Sequence, residues 1–230
     1  MKTIGIIGAM EVEVATIKSK MEVVSVKNVV GVDFYLGKME GKSVVLVRSG
    51  IGKVNAAICT QVLVDMYAVD YIINVGVAGA LSKDLSIGDV IVSTDLVQHD
   101  MDTSAFGDPV GTIPRMAVSQ FPADAELIRI AKQAGAEVHA QVVPGRIASG
   151  DQFICDGAVK ERIYNLFKAQ CVEMEGAAVA HACYLNKIPF VVIRAISDRA
   201  DDNATVSFDT FVLQAARISG EMVETMVRKL

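Results

Sequence analysis

At 230 residues, 52% hydrophobic and 21% charged, the chain has the size and composition of a water-soluble globular protein with one substantial core. Its net charge of −5 excludes the basic stripe that a nucleic-acid partner requires, while leaving a nucleoside-sized ligand open. Cys59, Cys155, Cys171 and Cys183 have no CxxC spacing and read as free buried thiols in a reducing compartment. With no signal-peptide pattern and no apolar run of membrane length, the expectation is a cytoplasmic protein without a membrane partner.

Apolar runs and helical patterns then alternate along the chain. Ile4 to Ile7 reads as a short buried strand and Glu11 to Met21 as a helix. Val32 to Leu36 and Ser43 to Val47 read as strands joined by a turn at Glu40-Gly41. Gly52 to Tyr67 is a helix, Tyr71 to Val75 a strand ending at Gly76, and Val90 to Thr94 another strand. Residues 98 to 122 carry Gly107, Pro109, Gly111, Pro114 and Pro122, and so long a stretch without periodicity is usually functional or interfacial. A helix over Asp124 to Gln133 precedes a strand near Val138 to Ile147. Gly157 to Phe167 is helical. Cys171 to Glu175 reads as a strand that becomes a helix at Gly176. Pro189 to Ile193 is a strand running into Arg194-Ala195-Ile196-Ser197-Asp198. The last helix places Phe208, Phe211, Val212, Ala215, Met222, Val223, Met226, Val227 and Leu230 on one face. There is no repeat and no linker. The pattern predicts an α/β fold in one domain over residues 1–230: a three-layer α/β/α sandwich around a twisted, mainly parallel mixed sheet.

Several of the strand ends carry chemistry-bearing residues, and strand-to-helix junctions are where α/β proteins bind ligands. Glu173 and Glu175 interrupt an apolar, small-residue run, and a carboxylate is seldom buried without a partner. Glu173 reads as structural, paired with Arg194. Gly5-Ile6-Ile7-Gly8-Ala9-Met10 lacks the glycine spacing of a dinucleotide fingerprint. The acids that follow, Glu11 and Glu13, are favoured in a first helical turn by the helix dipole alone, so a solvated charge is the ordinary reading of either. They would repel a phosphate. Gly76-Val77-Ala78-Gly79 brings backbone close either to a ligand or to a packed helix. Asp198, at the end of a strongly apolar strand, is a candidate general acid with a pKa raised by desolvation, or else a partner of Arg194 or Arg199. His99-Asp100-Met101-Asp102 reads as a polar loop rather than a metal site, because no second ligand cluster accompanies it.

Taken in order, Gly5-Ile6-Ile7-Gly8-Ala9-Met10-Glu11, Ser49-Gly50-Ile51-Gly52-Lys53-Val54-Asn55, Asn74-Val75-Gly76-Val77-Ala78-Gly79, Ser149-Gly150-Asp151, Val172-Glu173-Met174-Glu175 and Arg194-Ala195-Ile196-Ser197-Asp198 resemble the bacterial 5′-methylthioadenosine/S-adenosylhomocysteine nucleosidases, which have the purine nucleoside phosphorylase-like fold. The resemblance runs from residue 3 to the C-terminal helix. It implies hydrolysis of the N-glycosidic bond of 5′-thio-substituted adenosines, with no metal and no organic cofactor. It implies Glu13 as the base that activates water and Asp198, with Ser197 beside it, as the acid that protonates adenine. It implies that Met174 and Glu175 hold the ribose, that Phe153 stacks on adenine and the main chain of Ile154 reads its edge, and that Ala78 and Gly79 give backbone contacts. Met10, Ile51 and Phe208 would surround the ribose and the apolar 5′ end. The resemblance also implies a homodimer, with Phe106 and Pro114 of one subunit closing that end in the other. Val77 stands where other members often carry a hydroxyl. Within the same fold a phosphorylase would need cations around its phosphate, a related hydrolase would act on another 6-aminopurine nucleoside, and a non-catalytic nucleoside binder would have little need of Glu13.

Overall fold

A computed structural model describes residues 2–230. The chain runs β1 (Thr3–Gly8), α1 (Glu11–Lys20), β2 (Glu22–Val29), β3 (Val32–Met39), β4 (Lys42–Arg48), α2 (Lys53–Tyr67), β5 (Tyr71–Ala80), β6 (Val90–Gln98), β7 (Gln120–Pro122), α3 (Ala125–Glu137), β8 (Val142–Ser149), α4 (Gly157–Phe167), β9 (Cys171–Glu173), α5 (Gly176–Asn186), β10 (Phe190–Asp198) and α6 (Ala204–Lys229). One mixed sheet takes all the strands, in the order β10-β6-β8-β9-β5-β1-β4-β3-β2, with β7 on β6 and a further pairing of β10 with β5. That extra pairing closes β5, β10, β6, β8 and β9 into a ring, from which β1, β4, β3 and β2 extend as an open wing.

Helices cover both faces, as the apolar patterning predicts. On one side α1, α3 and α6 pack Val14, Ile17, Leu127, Ala131, Met222 and Met226 against Ile4, Ile6, Ile73 and Val191. On the other, α2 and α5 pack Cys59, Leu63, Ala177 and Cys183 against Ile7, Phe34, Ile72 and Val192. Adjacent residues of a strand thus serve opposite layers, as the two-residue side-chain period requires. Helix α4 seals a third cluster, Ile163 and Phe167 with Leu81, Val97 and Ala148.

Several boundaries differ from the sequence reading. Strand β5 does not stop at Gly76 but continues to Ala80, because its glycine- and alanine-rich end stays paired with β10. Helix α3 extends to Glu137. The expected strand start at Val138 is instead a turn through His139 (φ +55°), and β8 begins at Val142. Asp124 caps α3 as its position suggests, accepting the N–H groups of Glu126 and Leu127. Strand β2 was not anticipated: it lies on the rim, paired only with β3, and is exposed nearly throughout, so it lacks the alternation that marks a strand facing a core. Residues 99–119 are irregular apart from one 3₁₀ turn at Ser104–Phe106. All four cysteines are free, but Cys155 is exposed rather than buried. It lies in the loop before α4, beyond the apolar clusters that take in the other three.

A break in one ladder positions the site. Along one edge, β5 pairs with β1 from Tyr71 to Asn74. Beyond that β1 ends at Gly8, and the short strand β9 takes over at Gly79 and Ala80. Between the two, residues 75–78 of β5 have no strand beside them on that edge. The turn after β1, the end of β9 and the end of β10 all converge on this opening.

Candidate active site

The opening in the β5 edge is filled from one side by Glu13. Its carboxylate, on the first turn of α1, accepts the N–H groups of Ala9 and Met10 with one oxygen (both 2.8 Å) and the N–H of Val77 with the other (3.0 Å). A backbone donor left unpaired by the ladder break is thereby satisfied. Glu13 is buried, whereas Glu11 is exposed and faces Arg48. The ordinary reading of a solvated first-turn charge therefore holds for Glu11 and fails for Glu13, whose partner lies 64 positions along the chain. Burial pushes the Glu13 carboxyl above the usual carboxylate range, against the opposing pull of Arg194 and the three N–H donors.

Asp198 closes the other end. It is buried at the end of β10, with one oxygen accepting the Ala200 N–H (2.8 Å) and the other the Ser197 hydroxyl (2.9 Å). Burial raises its pKa, with those hydrogen bonds opposing. Neither Arg194 nor Arg199 pairs with it. A carboxyl that holds its proton to higher pH than usual is better placed to act as an acid.

Two glycines make room for these carboxylates. A Cβ on Gly76 would stand 2.5 Å from Glu13 Oε1 and 3.1 Å from an Arg194 nitrogen. A Cβ on Gly79 would stand 2.7 Å from Asp198 Oδ1. Gly76 and Gly79 thus each admit one acid.

Between the acids lies the Glu173-Met174-Glu175 segment. Arg194 is fully buried and donates to Glu173 through Nε (3.1 Å) and through Nη2, which also reaches Asn74 Oδ1 (2.7 Å). The expected Glu173–Arg194 pairing is therefore present. Glu173 also accepts the Ser149 hydroxyl and the N–H groups of Glu175 and Gly176 (3.0 and 2.7 Å), which anchors the start of α5. Glu175 turns into the cavity and accepts the Gly52 N–H (2.9 Å), with Arg194 Nη2 at 3.8 Å. Burial first, and the Glu173 charge next, push its pKa up to about 8.

The cavity is lined by Met10, Glu13, Ile51, Ala78, Gly79, Phe153, Ile154, Met174, Glu175, Ser197, Asp198 and Phe208, as the resemblance implies. Phe153 and Phe208 meet edge to face, with centroids 5.7 Å apart. Ala9, Val77, Gln152, Val172 and Glu173 line it as well. Of these, Gln152, next to Phe153, is the one that the sequence analysis does not name. Phe106 and Pro114 do not line this cavity, and both are exposed. The lining holds four acids and, among the described residues, no lysine or arginine. No cluster of three or more metal-ligating side chains is found among the described residues. The His99–Asp102 run disperses: Asp100 pairs with Lys53 (2.6 Å), Asp102 accepts the Ser104 N–H, and His99 packs against Gly150. Asp100 also accepts the Asp151 N–H (3.0 Å), and Asp151 in turn accepts the Lys53 N–H (2.8 Å). This ring ties the Ile51-Gly52 loop to the Gln152–Ile154 segment.

The chain belongs to the phosphorylase superfamily, whose family model matches residues 3–228. Within it, the chain is a member of the 5′-methylthioadenosine/S-adenosylhomocysteine nucleosidase family. A protein of that name from Staphylococcus saprophyticus is 44% identical over 99% of this chain and 100% of its own. The fold is similar to that of the Neisseria meningitidis nucleosidase of the same name, in complex with methylthio-immucillin-A (TM-score 0.97, 41% identity, 100% of both chains). It is also similar to the native structure of futalosine hydrolase of Helicobacter pylori (TM-score 0.95, 39% identity, 100% of this chain and 98% of that one).

Two predictions follow from the packing and the charge. Gly76→Ala and Gly79→Ala each displace one acid, and a misplacement of about 1 Å can cost around 100-fold in rate. Each variant is expected to lose at least ten-fold in turnover while its melting temperature shows it folded. The second concerns Glu175. A carboxyl whose folded pKa lies above its unfolded value contributes stability that is complete below the unfolded pKa and is lost as pH rises through the folded one. The chain should thus lose stability as pH rises from about 4.5 through about 8. Glu175→Gln should flatten that decline in urea unfolding, and an unchanged slope would contradict the assignment.

Proposed function

We propose that the protein hydrolyses the N-glycosidic bond of 5′-methylthioadenosine and S-adenosylhomocysteine, and of 5′-deoxyadenosine, releasing adenine and the 5-substituted ribose. The observation that carries this reading is the placement of Glu13 and Asp198 as two buried carboxyls at opposite ends of one cavity. Each stands against its own glycine of β5, Glu13 at Gly76 and Asp198 at Gly79, three positions along the strand. Two separate carboxyls can act on one glycosidic bond as acid and base, with a water between base and sugar.

In the proposed reaction Asp198 gives its proton to the departing adenine, so the leaving group departs neutral. Glu13 takes a proton from the attacking water as the bond to C1′ forms. Glu175 receives the ribose hydroxyls with Met174 against the sugar, Phe153 stacks on the base, and the Ile154 main chain reads its edge. The sugar acquires oxocarbenium character, and the Glu13 carboxylate stabilises that charge where it develops. The wall acids also disfavour a phosphorylase, since the lining offers a phosphate no cation and the buried guanidinium is already held by Glu173 and Asn74. The bond breaks without a metal or organic cofactor, because acid, base and field come from side chains.

The setting is proposed as cytoplasmic, with a role in methionine salvage. No helix among the described residues is long and apolar enough to cross a membrane. A homodimer is proposed from the apolar surface of α2 and α5, where Val54, Ile58 and Leu185 are exposed and Gln61 and Asn186 join the two helices (2.7 Å). In that dimer Phe106, 89% exposed here, and Pro114 would close the neighbouring subunit's 5′ end.

Adenine release in phosphate-free buffer tests the reading, with 5′-methylthioadenosine, S-adenosylhomocysteine, adenosine and futalosine as substrates. The two thio-adenosines should have the highest kcat/KM, and a phosphate requirement with ribose 1-phosphate as product would overturn hydrolysis. Asp198→Asn and Glu13→Gln should each lower kcat by about 100-fold or more with the fold intact. The pH profile of kcat/KM should be a bell. Its acid limb, protonation of Glu13, should lie above the ordinary carboxylate range, and its alkaline limb is loss of the Asp198 proton.

A further inference from the structure

Helix α2 starts without a cap of its own. Its N-cap position is Gly52, held at φ +100°, and a glycine has no side chain to accept a first-turn N–H. Carboxylates from two distant segments take the donors there instead. The Gly52 N–H goes to Glu175 Oε1 (2.9 Å) and the Lys53 N–H to Asp151 Oδ1 (2.8 Å). A Cβ on Gly52 would stand 3.2 Å from that Asp151 oxygen, so the glycine supplies both the conformation and the room.

Asp151 is held in turn from its other side. Its N–H donates to Asp100 Oδ2 (3.0 Å), and Asp100 Oδ1 accepts the Lys53 ammonium (2.6 Å), which also reaches Gln98 Oε1 (3.1 Å). Lys53 thus grips the ring with both its main chain and its side chain. None of Lys53, Asp100 and Asp151 lines the nucleoside cavity, whereas Phe153 and Ile154, just after Asp151, do. Among the described residues, 151–155 hydrogen-bond to the rest of the chain only through Asp151. Phe153 is 45% exposed, so packing alone does not fix its ring. Its place is that of the backbone carrying it, and that backbone is tethered at one residue.

We propose that Asp151, with the Lys53–Asp100 pair behind it, is a positioning residue for base recognition: it holds the Phe153–Ile154 segment against the purine by capping the helix end that also holds Glu175. The inference rests on the nucleosidase reading above and adds to it residues that stand outside the cavity wall. The base side and the sugar side of the site are then set from one point, since neighbouring N–H groups of α2 hold Asp151 and Glu175. A stacking ring and an edge-reading main chain that are ordered before the base arrives lose little freedom when it binds. Both contacts are made alike in the ground state and the transition state. Loosening the ring therefore weakens binding of the base, in KM, rather than slowing the chemistry.

The readouts are the dissociation constant of free adenine, by titration calorimetry, and the split between KM and kcat for 5′-methylthioadenosine, both on the full chain. Asp151→Ala should weaken adenine binding about five-fold or more, on the scale of one lost capping bond. It should raise KM by a like factor and leave kcat within about two-fold. Asp151→Asn should restore both, because the Lys53 N–H uses one oxygen only and an amide oxygen caps a helix as well as a carboxylate. Asp100→Ala should weaken adenine in the same direction, and adding it to Asp151→Ala should bring no further loss, as for members of one network. If Asp151→Ala does not fold, Lys53→Met keeps the main-chain bond, removes the ammonium, and should weaken adenine about two- to three-fold. Unchanged adenine affinity in Asp151→Ala or, in its place, in Lys53→Met would overturn the proposal. So would a loss in kcat rather than KM, additive losses in the double variant, or an asparagine variant as impaired as the alanine one. Failure of the underlying reading looks different, since it shows in the unaltered protein as no adenine release from either thio-adenosine.

Discussion

Arg194 is the one buried cation in a region that holds Glu13, Glu173 and Glu175. Its guanidinium bonds two strands besides its own and reaches a third through Asn74. It donates to Glu173 of β9 and to Asn74 of β5, and the Asn74 amide in turn donates to the Ile7 carbonyl of β1 (2.9 Å). These are the strands that meet where β5 changes partners. A buried ion pair is not by itself a source of stability, because desolvation offsets the attraction, but removing one member leaves a bare buried charge and costs several kcal/mol. Arg194 therefore behaves as a constraint. The converging strand ends have to stay in register around it, and the acids have to stay where its field reaches them.

The charge does not balance around that constraint. Four acids line the cavity, and the nearby guanidinium is committed mainly to Glu173. Glu13, Glu175 and Asp198 are all pushed toward their protonated forms, with burial the largest cause in each. A cavity in this condition gains when positive charge develops inside it, because the repulsion and desolvation that burden the empty site are then relieved. The same imbalance burdens the resting fold, as expected when an active site stores unfavourable interactions that the rest of the core offsets.

Much of this was legible in the sequence because the chemistry sits at strand ends, where local pattern and function coincide. Asp198 after an apolar strand, Glu175 at a strand-to-helix change and the Glu173–Arg194 pairing are visible as polar residues with no reason to be in apolar runs. What stayed hidden depends on contacts between distant segments. Nothing local distinguishes Glu13 from Glu11; only the unpaired N–H of Val77, far along the chain, selects one for burial. The glycines at 76 and 79 looked like backbone-approach or packing residues because the atoms they make room for come from α1 and β10. Strand β2 escaped notice for the opposite reason: it meets no core, so its valines carry no alternating signal. Gln152 gave no signal of its own, being a polar residue in a polar loop.

The ladder break also bears on how one superfamily can house different reactions. A sheet that exchanges β1 for β9 along a single β5 edge leaves a short length of backbone with free hydrogen-bonding groups, and whatever side chain meets them decides what the opening accepts. An anion could be cradled by such N–H groups, with a nearby cation to hold it. In this chain Glu13 occupies the Val77 N–H and the two N–H groups of the Ala9-Met10 turn. The donors that a phosphate would use are thus consumed by a carboxylate, which can take a proton from water in the same place. In this chain the backbone holds the protein's own anion, on the first turn of α1, which is the arrangement that the proposed hydrolysis requires.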